Sequence, residues 1–168
     1  MADFKLYAPL LHRLELGFSD DPDDKGGPTK DGVTLTTFRK FYGESMTVED
    51  LKRMTWAQWC HIMKTGFWDV CRADEIKNQS LAEIIVDWCV NSGTGRIREV
   101  QTIAGVKPDG IVGSKTLGAL NGADDESLFH RIRLGREQWF RTIVQKKPSQ
   151  KKFWSGWMNR LDAFKYKK

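Results

Sequence analysis

Glu15 closes an apolar segment, and Asp20, Asp21, Asp23 and Asp24 follow it before the glycine pair Gly26 and Gly27, all within LELGFSDDPDDKGGPTKDGVT, residues 14–34. Two carboxylates on opposite sides of a bond are the equipment of glycoside hydrolysis. One, protonated, donates to the leaving oxygen, and the second, ionised, activates water or attacks the sugar. Glu15 at a helix end and Asp24 across a turning loop supply such a pair.

Two other readings of the stretch compete. A calcium loop beginning at Asp21 would place Asp23 third and Gly26 sixth as required, but Lys25 falls on the fifth position and Gly32 on the twelfth. A lysine among the ligands and no closing glutamate argue against it. Simple solvation suits Glu15 poorly, because an acid at a helix C-terminus opposes the macrodipole, whose negative end lies there.

Elsewhere the candidates for chemistry are few. His12, His61 and His130 stand alone, without an acid or cysteine at ligand spacing, so metal binding and nucleophilic catalysis through them are weak readings. GIVGSK lacks the spacing and flanking strand of a phosphate loop. Cys60, Cys71 and Cys89 show no CxxC spacing and are expected to be buried, reduced thiols. No cofactor or metal is implied.

The elements that must position Glu15 and Asp24 come next. Leu6, Leu10, Leu11 and Leu14 recur at helical spacing, which puts Glu15 in the last turn of a first helix despite Pro9. From Asp20 to Gly32 the Asp, Pro and Gly content predicts no regular element. GVTLTTF then reads as a brief strand, with Thr36 or Thr37 capping the next helix. Thr47 with Asp50, and Thr55 with Gln58, follow the capping-box pattern and predict two helix starts. Gly66 is expected to break the second of these ahead of Trp68, and SLAEIIVDWCVNSG reads as a buried helix ending at Gly93. Helix, a PDG turn and helix follow, and SLFHRIRLGREQWFRTIV and SGWMNRLDAF complete a helical C-terminal half.

With 168 residues, 40% of them hydrophobic and seven of them tryptophan, the chain is the size of one folded domain. The fold class predicted is α+β, mainly α-helical, with a small β element after the first helix. The N-terminal segment has charges inside its apolar part, unlike a signal peptide, and no run approaches a membrane span. Synthesis in the cytoplasm without a signal peptide, and no stable membrane insertion, are therefore expected. The net charge of +5 is uneven: acids crowd the start, while Arg131, Arg133, Arg136, Arg141 and the lysines from Lys146 onward dominate the end. That asymmetry suggests an acidic functional loop and a basic face for an anionic surface. Nucleic acid is not indicated, since no motif interleaves aromatic and basic residues.

Glu15, Asp24 after eight intervening residues, Gly26, Gly27, Thr29 and GVT ending at Thr34 together resemble the N-terminal signature of glycoside hydrolase family 108. These are bacterial and phage N-acetylmuramidases, also described as secretion activators. TVEDLKRMT, FWDVCRADEI, DWCVNSGTGR, VQTIAGVKPDGIVGSKTLGAL and GWMNRL extend the resemblance over nearly the whole chain. It implies a lysozyme-like fold in a single domain over residues 1–168, with a catalytic part (1–93) and a peptidoglycan-binding-like helical part (94–168). It makes Glu15 the general acid and Asp24 the assisting carboxylate, with Thr29 and Thr34 flanking the cleft. Trp68 and Asn91 match family positions and are candidate sugar contacts. Two departures stand out. Leu16 replaces the first of two usual glycines, and Asp31 stands where asparagine or an aromatic residue is common, so Asp31 is a second candidate for the assisting role.

The resemblance implies hydrolysis of the β-1,4 bond between N-acetylmuramic acid and N-acetylglucosamine in peptidoglycan, by a monomer that acts as an endolysin after holin-type release or after dedicated export. A lytic transglycosylase, which would need the glutamate alone, and a non-catalytic wall-binding or secretion-assisting protein are the alternatives.

Overall fold

The computed structural model describes residues 1–20 and 27–168. Helix dominates, and a three-stranded antiparallel sheet directly follows the first helix, as the sequence predicts. The chain divides into two compact units, residues 4–66 and residues 1–3 with 67–168.

In the smaller unit, α1 (Phe4–Glu15) buries Phe4, Tyr7, Ala8 and Leu11, an i, i+3, i+4, i+7 stripe. The leucine stripe expected from the sequence is corrected here: Leu6 is 67% exposed, Leu10 and Leu14 are half-buried, and only Leu11 is fully covered. The helix turns its two aromatic rings inward because they bury more apolar area than leucine does. Three short strands follow, β1 (Phe18–Ser19), β2 (Thr29–Lys30) and β3 (Val33–Thr34). Phe18 pairs with Lys30 and Ser19 with Thr29; Thr29 in turn pairs with Thr34 and Lys30 with Val33.

The segment expected to be irregular to Gly32 therefore contains a strand and a hairpin turn. Asp31 (φ 46°) and Gly32 (φ 78°) both have positive φ, the backbone of a type I′ turn, for which Asp-Gly is a favoured pair. The cap of α2 (Leu35–Tyr42) is Thr34, whose hydroxyl accepts the Thr37 N–H at 3.1 Å. It is not Thr36 or Thr37, because the strand ends two residues earlier than its β-branched composition suggests. Both capping boxes form, Thr47 with Asp50 opening α3 (Val48–Lys52) and Thr55 with Gln58 opening α4 (Trp56–Met63). Gly66 does not stop α4: the chain continues as a wider π-helical turn, Lys64–Trp68.

In the larger unit, α5 (Gln79–Ser92) is capped by Asn78, ends at Gly93 and is buried along most of its length. Its Asp87 is fully buried and bonded to two guanidinium groups, by Arg136 at 2.6 Å and by Arg160 at 2.7 and 2.9 Å. Burial raises the proton affinity of Asp87, but the two arginines outweigh it and hold the carboxyl below its ordinary range. Arg136 thus leaves the basic face to which the sequence assigns it, since a charge at this depth requires a partner. Arg133 pairs with Asp162 and Arg141 with Glu137.

The remaining helices are α6 (Ile97–Ile103), α7 (Ser114–Gly122), α8 (Asp125–Lys146) and α9 (Trp154–Asp162). Between α6 and α7 the Asp109–Gly110 turn closes on buried Gln101. The Gln101 carbonyl accepts the Gly110 N–H at 2.8 Å, and its amide donates to Asp109, Ile111 and Thr116. Cys71 and Cys89 are buried with their sulfurs 3.7 Å apart, and burial together with this contact raises the Cys71 pKa well above its ordinary value. Cys60 is only partly covered, against expectation. Among the described residues no helix is long and apolar enough to cross a membrane.

Candidate active site

Glu15 is the last residue of α1 and is half-buried. Its carboxyl lies over Gly32: a Cβ built on that glycine would stand 2.5 Å from Glu15 Oε2 and 3.0 Å from Cδ. Glycine at 32 is favoured for two reasons: its positive φ, and the carboxyl above it, which an added Cβ would displace.

The helix end and the hairpin turn are tied together by Asp31. The Asp31 N–H donates to the Gly17 carbonyl at 2.7 Å, and the Gly17 N–H donates back to Asp31 Oδ1 at 2.9 Å. On the other carboxylate oxygen, His12 Nε2 lies at 3.2 Å and Lys30 Nζ at 3.1 Å. The buried Trp59 indole N–H donates to the Asp31 carbonyl at 2.9 Å. Asp31 thus holds the chain two residues beyond Glu15 and, through His12, the helical turn that carries it. At 5% exposure, burial pushes the Asp31 carboxyl toward protonation. The Gly17 N–H, Lys30 and His12 together outweigh that and hold it below its usual value. This carboxylate is ionised and fully engaged, which makes it a structural tie within the site. No short-range sequence signal marks it, but the Asp-Gly hairpin pair does mark the turn.

Thr29 and Thr34 face each other across β2 and β3, so the structure brings these two sequence candidates together. The Thr29 hydroxyl donates to the Gly27 carbonyl at 3.1 Å. The Thr34 hydroxyl caps α2 and donates to Thr37 Oγ1 at 3.0 Å. Asp24 lies outside the described residues. Trp68 and Asn91 belong to the larger unit. Trp68 is buried and its indole donates to Asp74 at 2.6 Å, while Asn91, in the last turn of α5, is half-buried and accepts from the Ser92 hydroxyl at 3.4 Å. Among the described residues no three His, Cys, Asp or Glu side chains converge as metal ligands would.

Helix α1 thus delivers a carboxyl group onto the turn of a small antiparallel sheet, in a mainly helical chain. The chain belongs to the glycosyl hydrolase 108 family, whose sequence profile matches residues 9–93. Membership implies glycosidase activity. A second profile, described as a "Predicted Peptidoglycan domain", matches residues 96–162. Among solved structures, SagA of Brucella abortus is similar, with a TM-score of 0.81 and 25% identity over 96% of this chain and 90% of that chain. No curated protein matches the chain significantly.

Proposed function

We propose that the chain hydrolyses the β-1,4 bond between N-acetylmuramic acid and N-acetylglucosamine in peptidoglycan, with Glu15 as proton donor and Asp24 as assisting carboxylate. The observation that carries this reading is the placement of the Glu15 carboxyl over Gly32, at a helix end whose backbone is tied to the hairpin turn by Asp31. A glycosidase needs its acid held at the leaving oxygen before the bond breaks, since positioning alone supplies a large part of the rate. The family match and the peptidoglycan domain support the substrate class.

In this mechanism the Glu15 proton passes to the glycosidic oxygen as the carbon–oxygen bond breaks. Positive charge grows on the sugar, and Asp24 stabilises it or activates the water that completes hydrolysis. Thr29 and Thr34 line the cleft as polar groups and Asn91 is a proposed sugar contact, whereas Trp68 has no exposed surface and is a packing residue, contrary to the sequence expectation. The substrate lies outside the membrane, so the chain reaches it by release through a membrane lesion or by dedicated export.

The test is release of reducing ends from purified peptidoglycan by the wild type and by Glu15→Gln, with both checked for folding by circular dichroism. Activity is expected to fall by about 10³-fold or more in the folded variant, the upper part of the usual general acid contribution. Anhydro sugars in place of reducing ends would assign the transglycosylase reaction instead. Wild-type protein that pellets with the wall and releases nothing would leave a binding function.

A further inference from the structure

A pocket of about 370 Å³ opens on the smaller unit beside the Asp31 tie, lined by His12, Lys30, Lys52, Arg53, Trp56 and Trp59 among others. It has an aromatic wall and a basic rim. Trp56 is half exposed, which is unusual for so large an apolar ring. It is also rigidly backed. Trp59 stacks on it at 5.2 Å with 17° between the ring planes, and His12 meets both rings edge-on at 5.2 and 4.8 Å. Trp59 is in turn fixed by its bond to the Asp31 carbonyl. The exposed indole is therefore a fixed platform with no rotamer freedom left to lose when a ligand lands on it.

The rim carries more positive than negative charge. Lys30 is taken up by Asp31, and Lys52 pairs with exposed Glu49 while lying over the Phe18 ring. Arg53 is exposed and makes no ion pair among the described residues. Asp31, the carboxylate in the wall, has a side chain only 7% exposed and is already engaged by Lys30 and by the His12 ring. The Glu49 and Asp50 carboxylates also interact with Arg53, but Glu49 is bonded to Lys52 and Asp50 to the Thr47 cap, so Arg53 is a lining cation without a bonded carboxylate among the described residues.

We infer that this pocket is a subsite for a pyranose ring bearing a carboxylate, with the ring on Trp56 and the carboxylate at Arg53. This rests on the wall-glycan reading above, and it names what in the glycan is recognised. A guanidinium fork matches a carboxylate in two parallel hydrogen bonds, and a fixed indole supplies the apolar area for a sugar face. The carboxylate comes either from the lactyl ether of the glycan or from its stem peptide.

The test measures binding by calorimetry and indole fluorescence on the Glu15→Gln protein, so that ligand is not consumed. Three ligands of matched length are compared: a neutral N-acetylglucosamine oligomer, peptide-free peptidoglycan glycan, and glycan carrying stem peptides. The carboxylate-bearing ligands are expected to bind about tenfold more tightly than the neutral one, as one charge-assisted pair allows. Arg53→Gln removes that gap and leaves the neutral oligomer unchanged, while Trp56→Ala weakens all three. A gap seen only with stem peptides assigns the carboxylate to the peptide. Equal affinity for neutral and anionic ligands, or a gap that survives Arg53→Gln, overturns the inference. Neither outcome depends on whether the wild type cleaves the wall, which the reducing-end assay reports separately.

Discussion

Asp31–Gly32 and Asp109–Gly110 are the same dipeptide, each turning the chain between two elements, and each glycine lies beneath the end of a long polar side chain. In the first turn both residues have positive φ, while in the second only the glycine does. Glu15 covers Gly32, and Arg98 covers Gly110 at 3.3 Å while donating to the Pro108 carbonyl. The aspartates differ more. Asp31 is buried among His12, Lys30 and the end of α1. Asp109 is exposed, bonded to the Gln101 amide and to its own turn through the Ile111 N–H. One local code thus serves two ends, because tertiary partners decide what the turn holds: a reactive carboxyl in one case, the junction of α6 and α7 in the other.

The sharpest way to break the comparison is to add one methyl group to each turn. In Gly32→Ala the new carbon meets Glu15 Oε2 at 2.5 Å, and activity on peptidoglycan is expected to drop about 100-fold, as an ångström of misplacement does. Gly110→Ala meets only the flexible end of Arg98, so specific activity of the folded protein should stay within about twofold and the loss should appear as a lower melting temperature. Equal activity losses in the two variants would mean that Gly32 has no special relation to Glu15.

Removing the acids sharpens the same contrast. Asp31→Ala removes the acceptor shared by the Gly17 N–H and the partly exposed Lys30 and His12 side chains, and is expected to cost about 1–2 kcal/mol in urea unfolding. Asp109→Ala should shift the urea midpoint distinctly less, because water replaces its carboxylate. Gln101→Leu orphans the Gly110 N–H and should cost about 1–2 kcal/mol, with a small part of that cost disappearing in acid, because the Gln101 amide is one of the groups holding the Asp109 carboxyl below its ordinary value.

The smallest effect concerns pH. Asp31 is held below its ordinary value of 3.8, so its contribution is fully present above that value and is lost as pH falls through the lower folded-state one. The stability gap between wild type and Asp31→Asn should be constant above about pH 5 and narrow only in more acid solution. A gap that closes nearer neutrality would show that Asp31 does not govern the pH dependence of the tie.

What was legible in the sequence was local. The two capping boxes, the Gly93 stop and the PDG turn need only residues within about one turn of one another, and all formed. The Asp31 tie joins residues 14 and 19 positions apart, and the Asp87–Arg136 pair joins residues 49 apart. Such distances leave no periodicity to read, so Asp31 reads as a second candidate for the assisting carboxylate and Arg136 as part of a basic face. The displaced leucine stripe has a different origin: periodicity showed that α1 has a buried face, but ring size selected which face. Glu15 and the Thr29–Thr34 pair were legible as candidates, and Asp24 stays a sequence expectation outside the described residues.

The buried pair Cys71 and Cys89 has a consequence for any change of surroundings. Thiol–disulfide exchange proceeds through the thiolate and needs an accessible sulfur, and these sulfurs are covered, with the Cys71 thiolate disfavoured. Burial therefore protects the covalent state of this pair in the folded chain when the surrounding redox potential changes.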